Sequence, residues 1–395
     1  MNNRALFYHF LGHTSQAPMA IEIESAQGIY LWGPGRKKYL DLISGISVSN
    51  VGHSHPEIVQ AVQQQAEKYM HLMVYGEFIQ APQVQLAQLL TANLPKTLNN
   101  VYLVNSGSEA VEGAMKLAKR HTGRNEIIAF KNAYHGSTQG ALSVMGNESM
   151  KNAFRPLLPG VHFLEYDKME ALDAINSQTA CVIMETIQGE AGAIVPGKEF
   201  IKAVFDQCKA HGALLIMDEI QAGFARTGSL WAFEHFGVSP DILLLAKGMG
   251  GGMPIGAFIA SKEIMQSLTH SPVLGHITTF GGNAVCAAAA LANLKIIVNN
   301  HLWENAARQE RLIREMLVHP KIKSIRGKGL LLALEFQSFE ENKLIIDTLV
   351  QQGIITDWFL FAPHCLRIAP PLIISEEEVI FACETILKVL KRLYG

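Results

Sequence analysis

Between residues 101 and 260, short apolar runs alternate with amphipathic stretches, and this alternation restricts the fold more than any other feature of the chain. Val101–Val104, Glu126–Phe130, Cys181–Met184, Ala213–Met217 and Asp241–Ala246 are short and apolar, and they read as strands. Ala110–Arg120 and Glu199–His211 carry apolar residues at helical spacing. The pattern predicts an α/β domain around a mostly parallel sheet, with helices as crossovers. Ligands of such sheets gather at the carboxyl ends of the strands. Each of those ends is polar: Asn105-Ser106-Gly107-Ser108-Glu109, Tyr134-His135-Gly136, Glu185, Asp218-Glu219 and Lys247.

Three of these ends carry distinct chemistry. Lys247 closes a Leu-rich run and is followed by the turn Gly248-Met249-Gly250-Gly251-Gly252. It either marks the wet end of a strand or is a desolvated amine, with its pKa lowered and its nitrogen nucleophilic toward aldehydes. Ser106 with Glu109 fits a capping box, and a Gly/Ser helix start exposes N–H groups to an anion such as phosphate. The alternative is a well-capped helix and nothing more. The loop is neither a Walker loop nor a dinucleotide GxGxxG, which disfavours ATP and NAD. Asp218, behind Leu214-Leu215-Ile216-Met217, needs a partner. That partner is a helix end, a cation or a protonated pyridine nitrogen. A phosphate seat, a buried carboxylate and a desolvated lysine, all at strand ends, are together the requirements for pyridoxal phosphate (PLP).

The remainder of the chain sets bounds. Its 395 residues, 49% hydrophobic and 17% charged, describe a globular protein of two or three lobes. The net charge of −2, with no basic block, indicates neither a nucleic-acid nor an anionic-membrane partner. Five scattered cysteines read as core thiols of a reducing compartment. Residues 1–18 do not read as a signal peptide, and Lys247 and Lys262 interrupt the longest apolar stretch. The expected location is the cytoplasm. His53 and His55, with no further ligand types nearby, read as turn and cap residues before a helix opened by Pro56. Ile21–Leu31 and Tyr39–Asp41 suggest a short hairpin closed by Gly33-Pro34-Gly35. After residue 285 the pattern changes to two consecutive helices, Asn283–Asn299 and His301–Val318. Strands follow at Ile322–Ile325, Gly329–Phe336 and Leu366–Ala369, and a last helix at Glu376–Leu393. The expected division is an N-terminal segment 1–45 joining a small α+β domain 286–395, with a large domain 46–285 between them.

Six motifs occur in an order that resembles the class III aminotransferases, most closely the acetylornithine/ornithine branch. They are Asn105–Ala110, Tyr134-His135-Gly136, Glu185-Thr186-Ile187-Gln188-Gly189-Glu190, Asp218-Glu219-Ile220-Gln221-Ala222-Gly223-Phe224, Ala246-Lys247-Gly248 and Thr278-Thr279-Phe280-Gly281-Gly282-Asn283. The resemblance runs from about Ile21 to the last helix. It implies the fold of the fold type I PLP-dependent transferases, with a mostly parallel seven-stranded sheet in the large domain. It also implies that Lys247 forms the Schiff base, Asp218 pairs with the pyridine nitrogen and Gln221 contacts the ring hydroxyl. Gly107 and Ser108 would hold the phosphate, and Tyr134 and Ile220 would cover the two ring faces. His135 and Glu185 would belong to the cofactor site. Thr279 would reach the phosphate of a neighbouring subunit, which implies a homodimer with shared active sites.

The implied reaction moves an amino group from a small-molecule amine donor to a 2-oxo acid acceptor, 2-oxoglutarate in this reading. The donor would be of the acetylornithine, ornithine or 4-aminobutyrate class. Glu190 resembles a glutamate that pairs with the arginine of Arg367-Ile368-Ala369-Pro370-Pro371 and can swing away to release it for a substrate carboxylate. A second carboxylate-binding arginine usually follows His-Gly in such relatives, and here Ser137 stands in its place. A serine cannot make the bidentate contact of a guanidinium. Tyr75 is a candidate for the substrate mouth. An aminomutase or racemase on the same scaffold shares these motifs, whereas a non-catalytic relative fits poorly with retention of Lys247, Asp218 and Gln221.

Overall fold

A computed structural model describes residues 2–395. Its centre is a seven-stranded sheet. In spatial order the strands are Asn100–Val104, Gly256–Ala260, Ile242–Leu245, Leu214–Asp218, Thr179–Glu185, Glu126–Phe130 and Val161–Leu164. All neighbours are parallel except Gly256–Ala260, which runs antiparallel to both strands beside it. Five of the seven strands match the apolar runs of the sequence. Val161–Leu164 and Gly256–Ala260 were not expected. The first is a half-exposed edge, and the second is a five-residue run of Gly, Ala, Phe and Ile directly behind a glycine-rich turn.

The strands are apolar throughout because both faces are covered. Leu215 and Met217 enter one core and Leu214 and Ile216 the other; Leu243 and Leu245 alternate with Ile242 and Leu244 in the same way. Each such buried side chain contributes about 1.5–3 kcal/mol. The helix Gly107–Thr122 shows how one crossover is fixed. Ser106 Oγ accepts the Glu109 N–H at 3.2 Å, and Gly123 ends the helix at φ +70°. Gly113 brings its backbone onto Phe258, where a Cβ would lie 2.3 Å from the ring. The expected capping box is only half formed. The Glu109 carboxylate instead accepts from the main chain and side chain of Asn105, at 2.7 and 2.8 Å.

Two smaller sheets flank this layer. Ser25–Gln27, Tyr30–Gly33 and Lys37–Asp41 form an antiparallel ribbon, which gains Ile354–Ile355 as a parallel fourth strand. Ser324–Lys328, Leu331–Glu335, Ala362–Ile368 and Trp358–Phe359 form an antiparallel sheet, backed by the helices Phe339–Gln351 and Glu376–Tyr394. The helix Phe339–Gln351 had no clear counterpart in the sequence reading. The N-terminal ribbon is thus tied to a strand more than 300 residues away. The long helix Ala284–Asn299 packs on Pro56–Lys68 and Ala81–Ala92. No single described helix is long and apolar enough to cross a membrane.

Candidate active site

The carboxyl ends of the parallel strands surround a cavity of about 400 Å³. Its lining includes Gly107, Ser108, Tyr134, His135, Glu185, Glu190, Asp218, Ile220, Gln221 and Lys247. These residues come from five separate strand ends, and the parallel sheet brings them into one place. Asn105, Val48 and Met253 complete parts of the wall.

Lys247 follows the strand Ile242–Leu245 with φ +42°, a left-handed conformation that costs a non-glycine residue about 1–2 kcal/mol. The residue lines the cavity. Burial pulls its pKa down from the ordinary lysine value; the Glu190 and Asp218 carboxylates oppose this, and Arg367 reinforces it. On the adjacent strand, Asp218 Oδ1 accepts the Ile220 N–H at 2.9 Å, and Oδ2 lies 2.7 Å from His135 Nδ1. The His135 ring is fully enclosed, and its Nε2 is buried without a partner.

Glu185 pairs in register with Asp218, so two carboxylates stand at neighbouring strand ends. Glu185 accepts from Tyr134 N at 3.0 Å and Gly189 N at 2.8 Å. Burial pushes its pKa up to about 7; His135 works against the rise and Asp218 adds to it. Glu219, one residue beyond Asp218, faces away from the cavity. It accepts from Ala232 N, Phe233 N and Thr186 Oγ1, and burial raises it to about 8. It braces the turn that follows the strand.

The other end of the cavity holds an ion pair. Arg367 donates from Nη1 and Nη2 to the two oxygens of Glu190, each at 3.0 Å, and from Nε to Asp357 at 2.8 Å. Its guanidinium carbon lies 4.3 Å from the centroid of the Phe359 ring. Gln221 Nε2 and Leu360 N also donate to Glu190, at 3.2 and 3.0 Å. Burial alone would raise Glu190, but Arg367 outweighs it and holds the carboxyl at about 2. Asp357 is raised by burial to about 6 despite the same arginine. Asp357 was missed in the sequence, where a carboxylate just after Ile354-Ile355 is the only signal.

Four of the residues singled out in the sequence lie outside the lining: Arg367, behind Glu190, and three others. Ser137 is exposed at the cavity's rim, with its Oγ 3.3 Å from the Tyr134 hydroxyl and its N–H donating to Ser108 Oγ at 3.3 Å. Tyr75 lines a second cavity of about 360 Å³, together with Phe78, Gln83 and Thr278. Thr279 is exposed, and it is the neighbouring Thr278 that bonds Asn105, at 3.1 Å.

The first cavity fits PLP. The opening turn of Gly107–Thr122 leaves N–H groups without intrahelical acceptors, which is a seat for phosphate. Gly136 keeps that seat narrow, since a Cβ there would lie 2.1 Å from Ser108 Oγ. Asp218 offers a carboxylate fixed on two sides, and Lys247 is the only lysine or arginine in the lining.

Comparison with known proteins agrees with this geometry. The family model described as aminotransferase class-III matches residues 11–390. The chain belongs to the class-III aminotransferases, which are PLP-dependent transferases of fold type I, and it is a transaminase. Among its relatives is an acetylornithine aminotransferase from Bacillus subtilis, 40% identical over 91% of this chain and 92% of that one. Solved structures share the fold, two of them as follows. An ornithine aminotransferase from Toxoplasma gondii has a TM-score of 0.92 at 30% identity, covering 98% of this chain and 94% of the other. A thermostable (S)-enantioselective omega-transaminase from Thermomicrobium roseum has a TM-score of 0.93 at 28% identity, covering 100% of both chains.

Proposed function

We propose that this transaminase takes the amino group of an ornithine-like or ω-amino donor and passes it to a 2-oxo acid, 2-oxoglutarate in our reading. The observation that carries the reading is the joining, in one cavity, of Lys247, the His135–Asp218 pair and Glu190, with the buried Arg367 paired to Glu190 behind the wall. When bound, PLP supplies an aldehyde that joins to amines and a protonated ring that withdraws electrons. Lys247 is the residue that holds the cofactor covalently between turnovers. Its Nζ, when free, would take the proton from the amine-bearing carbon of the donor and deliver it to the cofactor carbon that keeps the amino group. Asp218, oriented by His135, would keep the ring nitrogen protonated. Gln221 would bond the ring hydroxyl, Gly107 and Ser108 would hold the phosphate, and Tyr134 and Ile220 would cover the ring faces. Glu185 fixes the loop of Tyr134 through its main-chain bond.

Lys247 being the only lysine or arginine in the lining, a substrate carboxylate would need Arg367, which Glu190 covers while paired with it. Glu190 therefore faces the donor's amine-rich end while paired, and swings aside when the acid enters. A second carboxylate would meet the hydroxyls of Ser137 and Tyr134, a weaker grip than a guanidinium gives. Acetylornithine is the donor suggested by the B. subtilis relative's name, and ornithine the one suggested by the T. gondii enzyme's name.

The active unit in this reading is a homodimer. Segments 70–84 and 277–281 share one face, where the His71 and Phe280 rings meet at a tilt with centroids 4.6 Å apart, and Phe78, Ile79, Val84, Ile277 and Phe280 are exposed, Ile79 by 97%. Apolar surface of this kind marks an interface. Thr279 and Tyr75 lie on the same face, and in a dimer they would serve the partner's cavity. The residues divide into a large unit, 46–285, and a small one made of 1–45 with 286–395; the pairing of Lys37–Asp41 with Ile354–Ile355 supports this division. The setting proposed is the cytoplasm.

The test is to mix holoenzyme with a panel of amines and follow the cofactor's visible absorbance, with 2-oxo acid consumption measured in parallel. Bleaching by diamines or ω-amines with stoichiometric use of 2-oxoglutarate is expected. Product formation with no acid consumed would instead indicate a mutase or racemase.

A further inference from the structure

Around Lys247 the backbone is left-handed at six residues that carry side chains. Ser44, Ile46, Ser47, Phe224, Ala225 and Lys247 have φ between +42° and +71°. Such conformations persist only where the surroundings over-determine them, and Ile46 is β-branched, the least suited type. The group that holds them together is Arg226. Its side chain is fully buried, and no carboxylate bonds it. Nη1 donates to Leu330 O at 3.0 Å and Pro370 O at 2.5 Å; Nη2 donates to Ser44 Oγ at 3.2 Å and Asn50 Oδ1 at 2.5 Å. Those partners extend the reach. Ser44 Oγ donates to Ala369 O at 2.6 Å, and Asn50 Nδ2 donates to Phe224 O at 2.8 Å. Asn50 also lies hard against Gly248, where a Cβ would sit 2.6 Å from Nδ2.

One guanidinium therefore joins the strained turn at 44–47, the strained turn at 224–225 and the chain three residues beyond Arg367. Through Asn50 it bears on the residue that follows Lys247. A buried cation whose direct acceptors are all neutral is a poor device for stability alone, because the Asp41 carboxylate, which does not bond it, offsets only part of its desolvation. A planar fork with fixed donor directions is a good device for holding segments at set angles. We infer that Arg226 is a positioning residue that fixes Lys247 and Arg367 relative to each other. The amine and the carboxylate-binding group then keep one spacing through both halves of the reaction. This inference rests on the roles proposed above for Lys247 and Arg367.

Two variants test it. Arg226→Lys keeps the charge but replaces the fork by a single nitrogen. Ser44→Ala removes one acceptor and the link to Ala369, and is the milder change. In each holoenzyme the pH midpoint of the cofactor's visible absorbance reports on Lys247, and the KM for the 2-oxo acid against kcat reports on Arg367. Arg226→Lys is expected to move the midpoint by about half a pH unit or more and to raise KM about tenfold. Ser44→Ala should shift both in the same directions, with KM rising about twofold. If folded Arg226→Lys keeps the wild-type midpoint and KM and loses only melting temperature, the inference is overturned. Should that variant not fold, the same result in Ser44→Ala overturns it. A wild-type holoenzyme without pH-dependent visible absorbance would instead overturn the site reading on which the inference depends.

Discussion

The two ends of the cavity are built from similar groups and held in different ways. At the Asp218 end the carboxylates rest largely on main-chain donors: Ile220 N for Asp218, and Tyr134 N and Gly189 N for Glu185. At the Glu190 end most bonds run between side chains, from Arg367 and Gln221, with Leu360 N the one main-chain donor. A carboxylate fixed to strand ends moves only if the sheet moves. One fixed to a guanidinium can exchange partners by side-chain rotation. The contrast matches a site where one group stays and two substrates alternate.

The contrast can be broken at its fixed end first. Lys247→Ala should retain cofactor through Asp218 and the helix start, yet lose turnover by about 10³-fold or more, because a positioned base contributes that much. Single-turnover absorbance measures this, and near-wild-type turnover would refute the assignment. At the exchangeable end, Glu190→Gln leaves Arg367 paired with Asp357 alone. The expected result is a KM for the amine donor raised about tenfold and a lowered KM for the 2-oxo acid, read in separate half-reactions. Equal changes in both half-reactions would mean that the pair is only structural.

The pH dependence of stability separates the two ends further. Glu185 has a folded pKa of about 7, above its ordinary 4.5, so the folded chain holds the extra proton between these values. Its effect is a stability that falls as pH rises through that window, by an amount on the order of 1–3 kcal/mol. Glu190, at about 2, behaves oppositely: its contribution is present above pH 4.5 and is lost as pH falls toward 2. Denaturant unfolding of cofactor-free protein should show Glu185→Gln flattening the upper window and Glu190→Gln flattening the lower one. The smallest effect concerns the rim. Ser137→Arg should raise turnover of acetylornithine or ornithine about three- to tenfold, consistent with a bidentate grip on a carboxylate. Loss of all activity in a folded variant would show that the rim is built for another substrate.

The cavity was more legible in the sequence than the frame around it. Lys247, Asp218 and Glu185 stand at the ends of unbroken apolar runs, and a parallel sheet necessarily collects such ends. The strand Gly256–Ala260 was invisible because it is short, rich in small residues and lies directly behind a glycine-rich turn. The strand Ile354–Ile355 was invisible because two residues carry no periodicity, and its partner lies more than 300 positions earlier. His135 was placed at the site, but its bond to Asp218 spans 83 residues and follows from strand order rather than local pattern. Arg226 gave no signal, since a buried arginine among neutral acceptors looks in sequence like any arginine in a turn.

The pairing of Lys37–Asp41 with Ile354–Ile355 also bears on biosynthesis. The main-chain bonds from Leu40 N to Gly353 O and from Leu42 N to Ile355 O cannot form until residue 355 has left the ribosome. The ribbon at 25–41 therefore waits, one edge open, through the synthesis of the whole central sheet. Contacts of such long sequence separation form late and slowly. A nascent chain stalled before residue 354 should expose that edge to chaperones, whereas the full-length chain closes it.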